Sequence, residues 1–198
     1  DDPAHTARAM VEAGVKAIHI EDQTEEKRCG HIDGKSIITE AEMVTRLKES
    51  LKGRGESDLF IFARTDATGE EAIERAKAYA AAGADGIFAE AVGELADYKK
   101  FKQAVDIPIL ANITEFGKTP LYTPAELASV GADVALYPRT GERVMLKGYE
   151  DALLALQNDG SIQKLVDTGH IYPRHQTNEL INYDVTVETK QVTKEAKT

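Results

Sequence analysis

The sequence holds one cysteine, Cys29, in 198 residues. A single thiol cannot close an internal disulfide, so a reducing compartment, the cytoplasm, is expected. Positive charge is also scarce: 24 Lys and Arg stand against 34 Asp and Glu, a formal net charge of −10 at pH 7. That balance argues against a nucleic-acid partner and against a basic membrane-surface protein. No apolar run approaches the ~20 residues of a membrane span. The opening residues, DDPAHTARAM, carry neither the basic region nor the apolar region of a signal peptide. There is no Gly-x-Ser-x-Gly elbow, no glycine-rich phosphate loop and no Cys/His spacing of a zinc site. Their absence argues against serine-hydrolase, phosphate-loop and zinc chemistry.

What is present is a repeated unit. AGVKAIHIE (13–21), AGADGIFAE (82–90) and VGADVALYP (130–138) each place a glycine after a helical stretch and then a short apolar run. Gly14, Gly83 and Gly131 are placed to end helices in the left-handed conformation that glycine adopts cheaply. LFIFARTDA (59–67) and IPILANITE (107–115) extend the series to five strands. Near-continuous apolar strands of this kind are buried on both faces, as in a parallel sheet. Between them, Thr39 with Glu42 and Thr123-Pro124 with Glu126 are helix-start signals. Strict alternation of strand and helix predicts an α/β fold. From about Asp167 the pattern stops, and the end of the chain, VTVETKQVTKEAKT, is polar.

Each strand ends in polar residues or a break: Glu21-Asp22, Arg64-Thr65-Asp66, Glu90, Asn112-Ile113-Thr114, and then Tyr137-Pro138. Glu21 and Glu90 each lie seven residues after their glycine. Equivalent units would bring these groups to the carboxyl end of the sheet, where parallel α/β folds bind ligands. One polar strand end is simply the chain leaving the core. Four in succession, with two carboxylates, an arginine and an amide, predict a site for a metal ion and a multiply charged acid. Cys29, in EEKRCGHIDGK (25–35), follows the first strand and so belongs to a loop above that face. Lys27, Arg28 and His31 beside it favour a thiolate and suit acid/base chemistry. Gly30 and Gly34 bracket a segment able to move as a lid.

The segments HIEDQ…KRCGH, ARTDA, ANITEFGKTPL and ALYP resemble the isocitrate lyase / phosphoenolpyruvate mutase superfamily, and within it the 2-methylisocitrate lyases. The resemblance implies a (β/α)8 TIM-type barrel with about five of eight units present. Residues 1–166 would be the C-terminal portion of the barrel, and 167–198 a C-terminal helix or tail exchanged between subunits of a homotetramer. It also implies a Mg²⁺-dependent lyase, with Mn²⁺ as a possible substitute. The reaction would cleave the tricarboxylate 2-methylisocitrate to pyruvate and succinate, in the methylcitrate cycle of propionate catabolism. By the same resemblance, Cys29 is the acid that protonates the succinate carbanion. Gly30, Arg64, Glu90, Asn112, Ile113 and Thr114 fall at substrate-contacting positions, and Arg143 and Arg174 align with two substrate arginines. Glu21 aligns with a carboxylate that reaches the metal through water.

The family's direct ligands, an Asp-x-Asp pair, fall upstream of residue 1, so an N-terminal truncation is expected; Asp1 and Asp2 do not replace them. The alternatives are isocitrate lyase or another 2-hydroxy- or oxo-acid lyase of the superfamily, and an inactive truncated remnant.

Overall fold

The structure is a computed structural model and describes residues 2–183. In chain order its elements are α1 (Pro3–Glu12), β1 (Ala17–Glu21), α2 (Glu40–Arg54), β2 (Phe60–Thr65), α3 (Gly69–Ala81), β3 (Gly86–Ala89), α4 (Leu95–Ala104), β4 (Ile109–Asn112), α5 (Pro124–Ser129), β5 (Val134–Leu136), α6 (Thr140–Asp159), α7 (Gln163–Asp167) and α8 (Arg174–Leu180). The chain divides into two compact units, 1–140 and 141–198.

In the first unit the five strands are all parallel and follow one another in space as in sequence. Parallel crossovers are right-handed, so a sheet that winds in one direction places its helices on one face. The opposite face is then the inside of a barrel arc. The side chains divide accordingly. Ile61, Ala63, Ile87, Ala89, Ile109 and Ala111 join the helices in one buried cluster with Leu47, Tyr79, Tyr98 and Leu127. Residues of the other parity, Phe60, Phe62, Phe88 and Leu110, lie on the inner face; the Phe60 and Phe62 rings pack with their centroids 4.6 Å apart, tilted by 46°. Full burial of each such aliphatic or aromatic side chain stabilises the fold by ~1.5–3 kcal/mol, so the helix-side cluster is the main source of cohesion.

Local signals set the helix ends. Asp2 caps α1 by accepting from the Ala4 and His5 amides at 2.9 and 3.2 Å. Thr39 and Thr123 form capping boxes with Glu42 and Glu126. Gly14, Gly83 and Gly131 take φ of 76°, 103° and 87° just beyond α1, α3 and α5. β1 pairs only with β2, and β5 only with β4, among the described residues.

In the second unit the described part of α6, with α7 and α8, buries no residue. It exposes Val144, Met145, Leu146 and Tyr149, each 60–70% accessible. Of the expected C-terminal tail, 167–198, residues 184–198 lie outside the described residues.

Candidate active site

The strand register decides which polar ends meet. Glu21 lies beside Arg64 and Arg64 beside Phe88. Alternation along each strand puts Glu21, Arg64, Glu90, Asn112 and Thr114 on the inner parity. Ile113 has the opposite parity and packs in the helix-side core at 1% exposure, so only its backbone belongs to the strand-end rim.

Arg64 is the centre of the cluster. Its Nε donates to Asp66 Oδ2 at 2.8 Å and its Nη2 to Asp66 Oδ1 at 3.1 Å. Glu90 Oε1 and Glu21 Oε2 each lie 3.4 Å from the guanidinium, which also sits 5.1 Å from the centre of the Phe88 ring. Asn112 Nδ2 donates to Glu90 Oε2 at 3.1 Å. The side chains of Asp66 and Glu90 are 0% and 2% exposed, that of Arg64 9%. Burial alone would raise the Asp66 pKa. The hydrogen bonds and charge of Arg64, with Lys35 and Gln23, outweigh it and hold the carboxyl below its ordinary 3.8.

The segment carrying Cys29 is seated on this cluster. Its two ends are joined by the Gln23–Ile37 antiparallel bridge and by bonds from the Thr24 amide to Ser36 O and from the Ile38 amide to Asp22 O. Gly30 is buried so closely that a Cβ there would come within 2.4–2.5 Å of Asp66 Oδ1 and the Glu90 side chain. Cys29 itself is exposed. Lys27 Nζ reaches Glu21 Oε1 at 3.0 Å, and His31 Nε2 reaches Glu90 Oε1 at 3.3 Å. The Arg28 amide donates to Gln23 Oε1.

His31 Nδ1 accepts from the Lys118 amide at 3.0 Å, which assigns the hydrogen to Nε2, facing Glu90. Burial lowers the His31 pKa below 6.5 against the opposing pull of Glu90, and Arg64 and Lys35 add to the lowering. His31 is therefore a neutral bridge between the Cys29 segment, Glu90 and the segment after β4. Lys118 Nζ adds an ion pair to Asp33 at 2.6 Å.

Two acceptor atoms in the cluster are buried without a hydrogen-bond partner, Glu21 Oε2 and Asn112 Oδ1. The single hydrogen on Arg64 Nε is directed to Asp66, so its 3.4 Å approach to Glu21 is Coulombic only. Glu21 Oε2 is the kind of hard oxygen that faces a divalent cation or its water. Among the described residues, however, no group of three or more His, Cys, Asp or Glu could hold a metal ion. These residues by themselves do not complete a metal site.

Arg143 and Arg174 lie in the second unit, in α6 and at the first position of α8. Two residues with no role assigned from the sequence, Gln23 and Lys35, take part in the Arg64 cluster, and Asp66, expected only as one polar strand end among several, anchors both. Gln23 and Asp66 stand in the HIEDQ and ARTDA segments, so their neighbourhood was visible while their partners were not.

Residues 1–156 match the family described as Phosphoenolpyruvate phosphomutase. The chain belongs to that family. Within it, the chain is 45% identical over 184 residues to the 2-methylisocitrate lyase of Escherichia coli (strain K12), covering 91% of this chain and 62% of that one. It is 47% identical over 169 residues to the 2-methylisocitrate lyase of Shewanella oneidensis, covering 83% and 58%. The chain thus spans about 60% of the length of these curated relatives.

Two solved structures of the phosphoenolpyruvate mutase group share its fold. A 2,3-dimethylmalate lyase superposes with a TM-score of 0.79 at 27% identity, over 99% of this chain and 66% of that one. The phosphoenolpyruvate phosphomutase from Streptomyces platensis subsp. rosaceus gives 0.82 at 25%, over 95% and 67%. The five parallel strands are accordingly an arc of a TIM-type barrel, as the resemblance implied.

Proposed function

We propose that the full-length protein is a carbon–carbon lyase acting on 2-methylisocitrate and releasing pyruvate and succinate. The observation that carries this reading is the seating of the Cys29 segment, through Gly30, on the buried Arg64–Asp66–Glu90 cluster. The similarity to 2-methylisocitrate lyases supports the choice of substrate.

The residues fit the chemistry. Cleavage passes the proton of the substrate hydroxyl to a solvent base and converts that C–O bond to a carbonyl. The electrons of the breaking C–C bond settle on the carbon beside a carboxylate. In this reading the Cys29 thiol gives that carbon its proton, and Gly30 offers its backbone to the substrate. Arg64, held rigidly by Asp66, binds a substrate carboxylate. The unpartnered Asn112 Oδ1 accepts from a substrate hydroxyl, with Thr114 beside it on the same strand end.

Three acids, Glu21, Asp66 and Glu90, face three bases, Arg64, Lys27 and Lys35, so the cluster is near neutral with His31 uncharged. A tricarboxylate needs further positive charge. Mg²⁺, with Mn²⁺ as a substitute, supplies it in this reading when bound. Glu21 would reach the ion through water, and its direct ligands would come from outside the described residues. Arg143 and Arg174 would add carboxylate contacts in the assembled protein. That assembly is proposed to be a cytoplasmic homotetramer with an exchanged C-terminal tail, serving propionate catabolism. No helix among the described residues is long and apolar enough to cross a membrane.

The test is pyruvate release from 2-methylisocitrate by full-length protein with Mg²⁺, for the wild type and for Cys29→Ser. Loss of a general acid is worth ~10²–10⁴-fold in kcat. A loss below about tenfold would remove Cys29 from its assigned role, and a wild type that releases no pyruvate would sink the reading.

A further inference from the structure

Cys29 is flanked on both sides by hydrogen bonds to side chains that share one anchor. On its N-terminal side the Arg28 amide donates to Gln23 Oε1 at 2.8 Å. On its C-terminal side Gly30 O accepts from Lys35 Nζ at 3.1 Å. The other contacts of these two side chains converge: Gln23 Nε2 donates to Asp66 Oδ1 at 3.0 Å, and Lys35 Nζ to the same oxygen at 3.4 Å. Gln23 is 2% exposed and the Asp66 side chain 0%, so neither exchanges these bonds for water. The same oxygen lies 2.4 Å from the position a Cβ on Gly30 would occupy. Asp66 also carries both hydrogen bonds of Arg64.

We propose that Asp66 is a positioning residue for Cys29, acting on the backbone either side of the thiol through Gln23 and Lys35 while it holds Arg64. The proposal rests on the reading of Cys29 as proton donor. Its physical basis is that one oxygen fixes the height of the Cys29 segment above the guanidinium. The thiol and the carboxylate-binding cation are then set by a common reference rather than by two independent parts of the fold. Displacements of about 1 Å at reacting groups cost on the order of 10²-fold in rate, so such a reference has a large effect on turnover. Polar supports one contact removed from a reacting group act in the same way at metal sites.

The test uses the full-length protein and the variants Gln23→Leu, Lys35→Met and Asp66→Asn. Hydrogen exchange at the Arg28 amide should accelerate by about tenfold or more in Gln23→Leu, which removes its acceptor. It should also accelerate in Asp66→Asn, which does not touch Arg28, while amides of β2–β4 stay protected. Trypsin cleavage at Lys27 and Arg28 should be faster by a similar factor in Lys35→Met. Turnover of 2-methylisocitrate should fall ~10²-fold in each variant. KM should rise mainly in Asp66→Asn, where Arg64 loses the carboxylate that takes its two hydrogen bonds.

Unchanged Arg28 exchange in a folded Asp66→Asn overturns the relay, whatever happens to turnover. Should that variant not fold, an unchanged cleavage rate in Lys35→Met overturns it instead. Faster exchange and cleavage in a protein inactive on 2-methylisocitrate support the relay and reject the lyase reading.

Discussion

Two aspartates at neighbouring strand ends, Asp22 and Asp66, are both buried to zero side-chain exposure and are joined by a 2.8 Å bond from the Asp66 amide to Asp22 Oδ1. Their surroundings differ by the face of the sheet they serve. Asp22 accepts from Thr65 Oγ1, the Tyr79 hydroxyl and Arg75 Nη1, at 2.8, 2.9 and 3.3 Å. Tyr79 and Arg75 come from α3, so this carboxylate ties a helix to the sheet. Burial, and then the charge of Asp22, raise the Tyr79 pKa, which keeps its hydroxyl a donor. Asp66 gathers its donors from β2 and from the Cys29 segment, above the inner face. The same residue type at the same burial thus does two jobs. A network facing helices stabilises the fold, and one facing the mouth of the barrel arc orients the groups that, in the proposed reading, would act on a ligand.

The comparison breaks most readily at Asp22. Asp22→Asn leaves Arg75 with a single ion-pair partner among the described residues, the largely exposed Glu71 at 2.9 Å, and breaking a buried pair costs ~3–5 kcal/mol. Arg64 keeps Glu21 and Glu90 at 3.4 Å when Asp66 becomes Asn, so Asp66→Asn should destabilise less. Urea unfolding of both variants checks this, and equal losses would erase the distinction.

Next, Gly30→Ala should lower turnover by ~10²-fold while changing stability by less than about 1 kcal/mol. Its methyl would meet an Asp66 oxygen fixed by several donors, so the segment must lift. Parallel kinetics and urea curves measure both quantities; a fully active alanine variant would show that this close approach does not matter.

Tyr79→Phe sharpens the other side. Losing one hydrogen bond to a charged acceptor should cost about 1.5–3 kcal/mol of stability, with trypsin cleavage at Arg28 unchanged.

The smallest effect is with pH. Burial, with Arg64 adding to it, lowers His19 below 6.5, and burial does the same for His31. On acidification the unfolded chain takes up these protons first. Stability is therefore full above about 6.5 and is lost as pH falls through the folded values. Asp66, held below 3.8, adds a further loss only below that value. Unfolding free energies at pH 7.5 and 5.5 should show the decline, and His31→Gln should reduce its slope.

The parts that were legible in the chain are those whose cause is local. Thr39 and Glu42 are three residues apart and form the capping box their spacing predicts. Gly14, Gly83 and Gly131 take the positive φ that their places after helices require. Alternation along ARTDA and ILAN sent Arg64 and Asn112 to the inner face because successive side chains of a strand point to opposite faces. Ile113 follows the same rule into the core, which a position read from resemblance does not reveal.

Strand pattern, helix ends, the parity of each polar strand end and the presence of a thiol in a charged loop are thus dictated by neighbours in sequence. The convergence of Gln23 and Lys35 on Asp66 joins residues 43 and 31 positions apart. It exists only once β1 and β2 are in register, with Glu21 beside Arg64, and once the Cys29 segment closes through its Gln23–Ile37 bridge. A hydrogen bond depends on a distance of about 3 Å and on direction. Composition and spacing name the groups able to make such a bond, and the packed sheet chooses which of them meet.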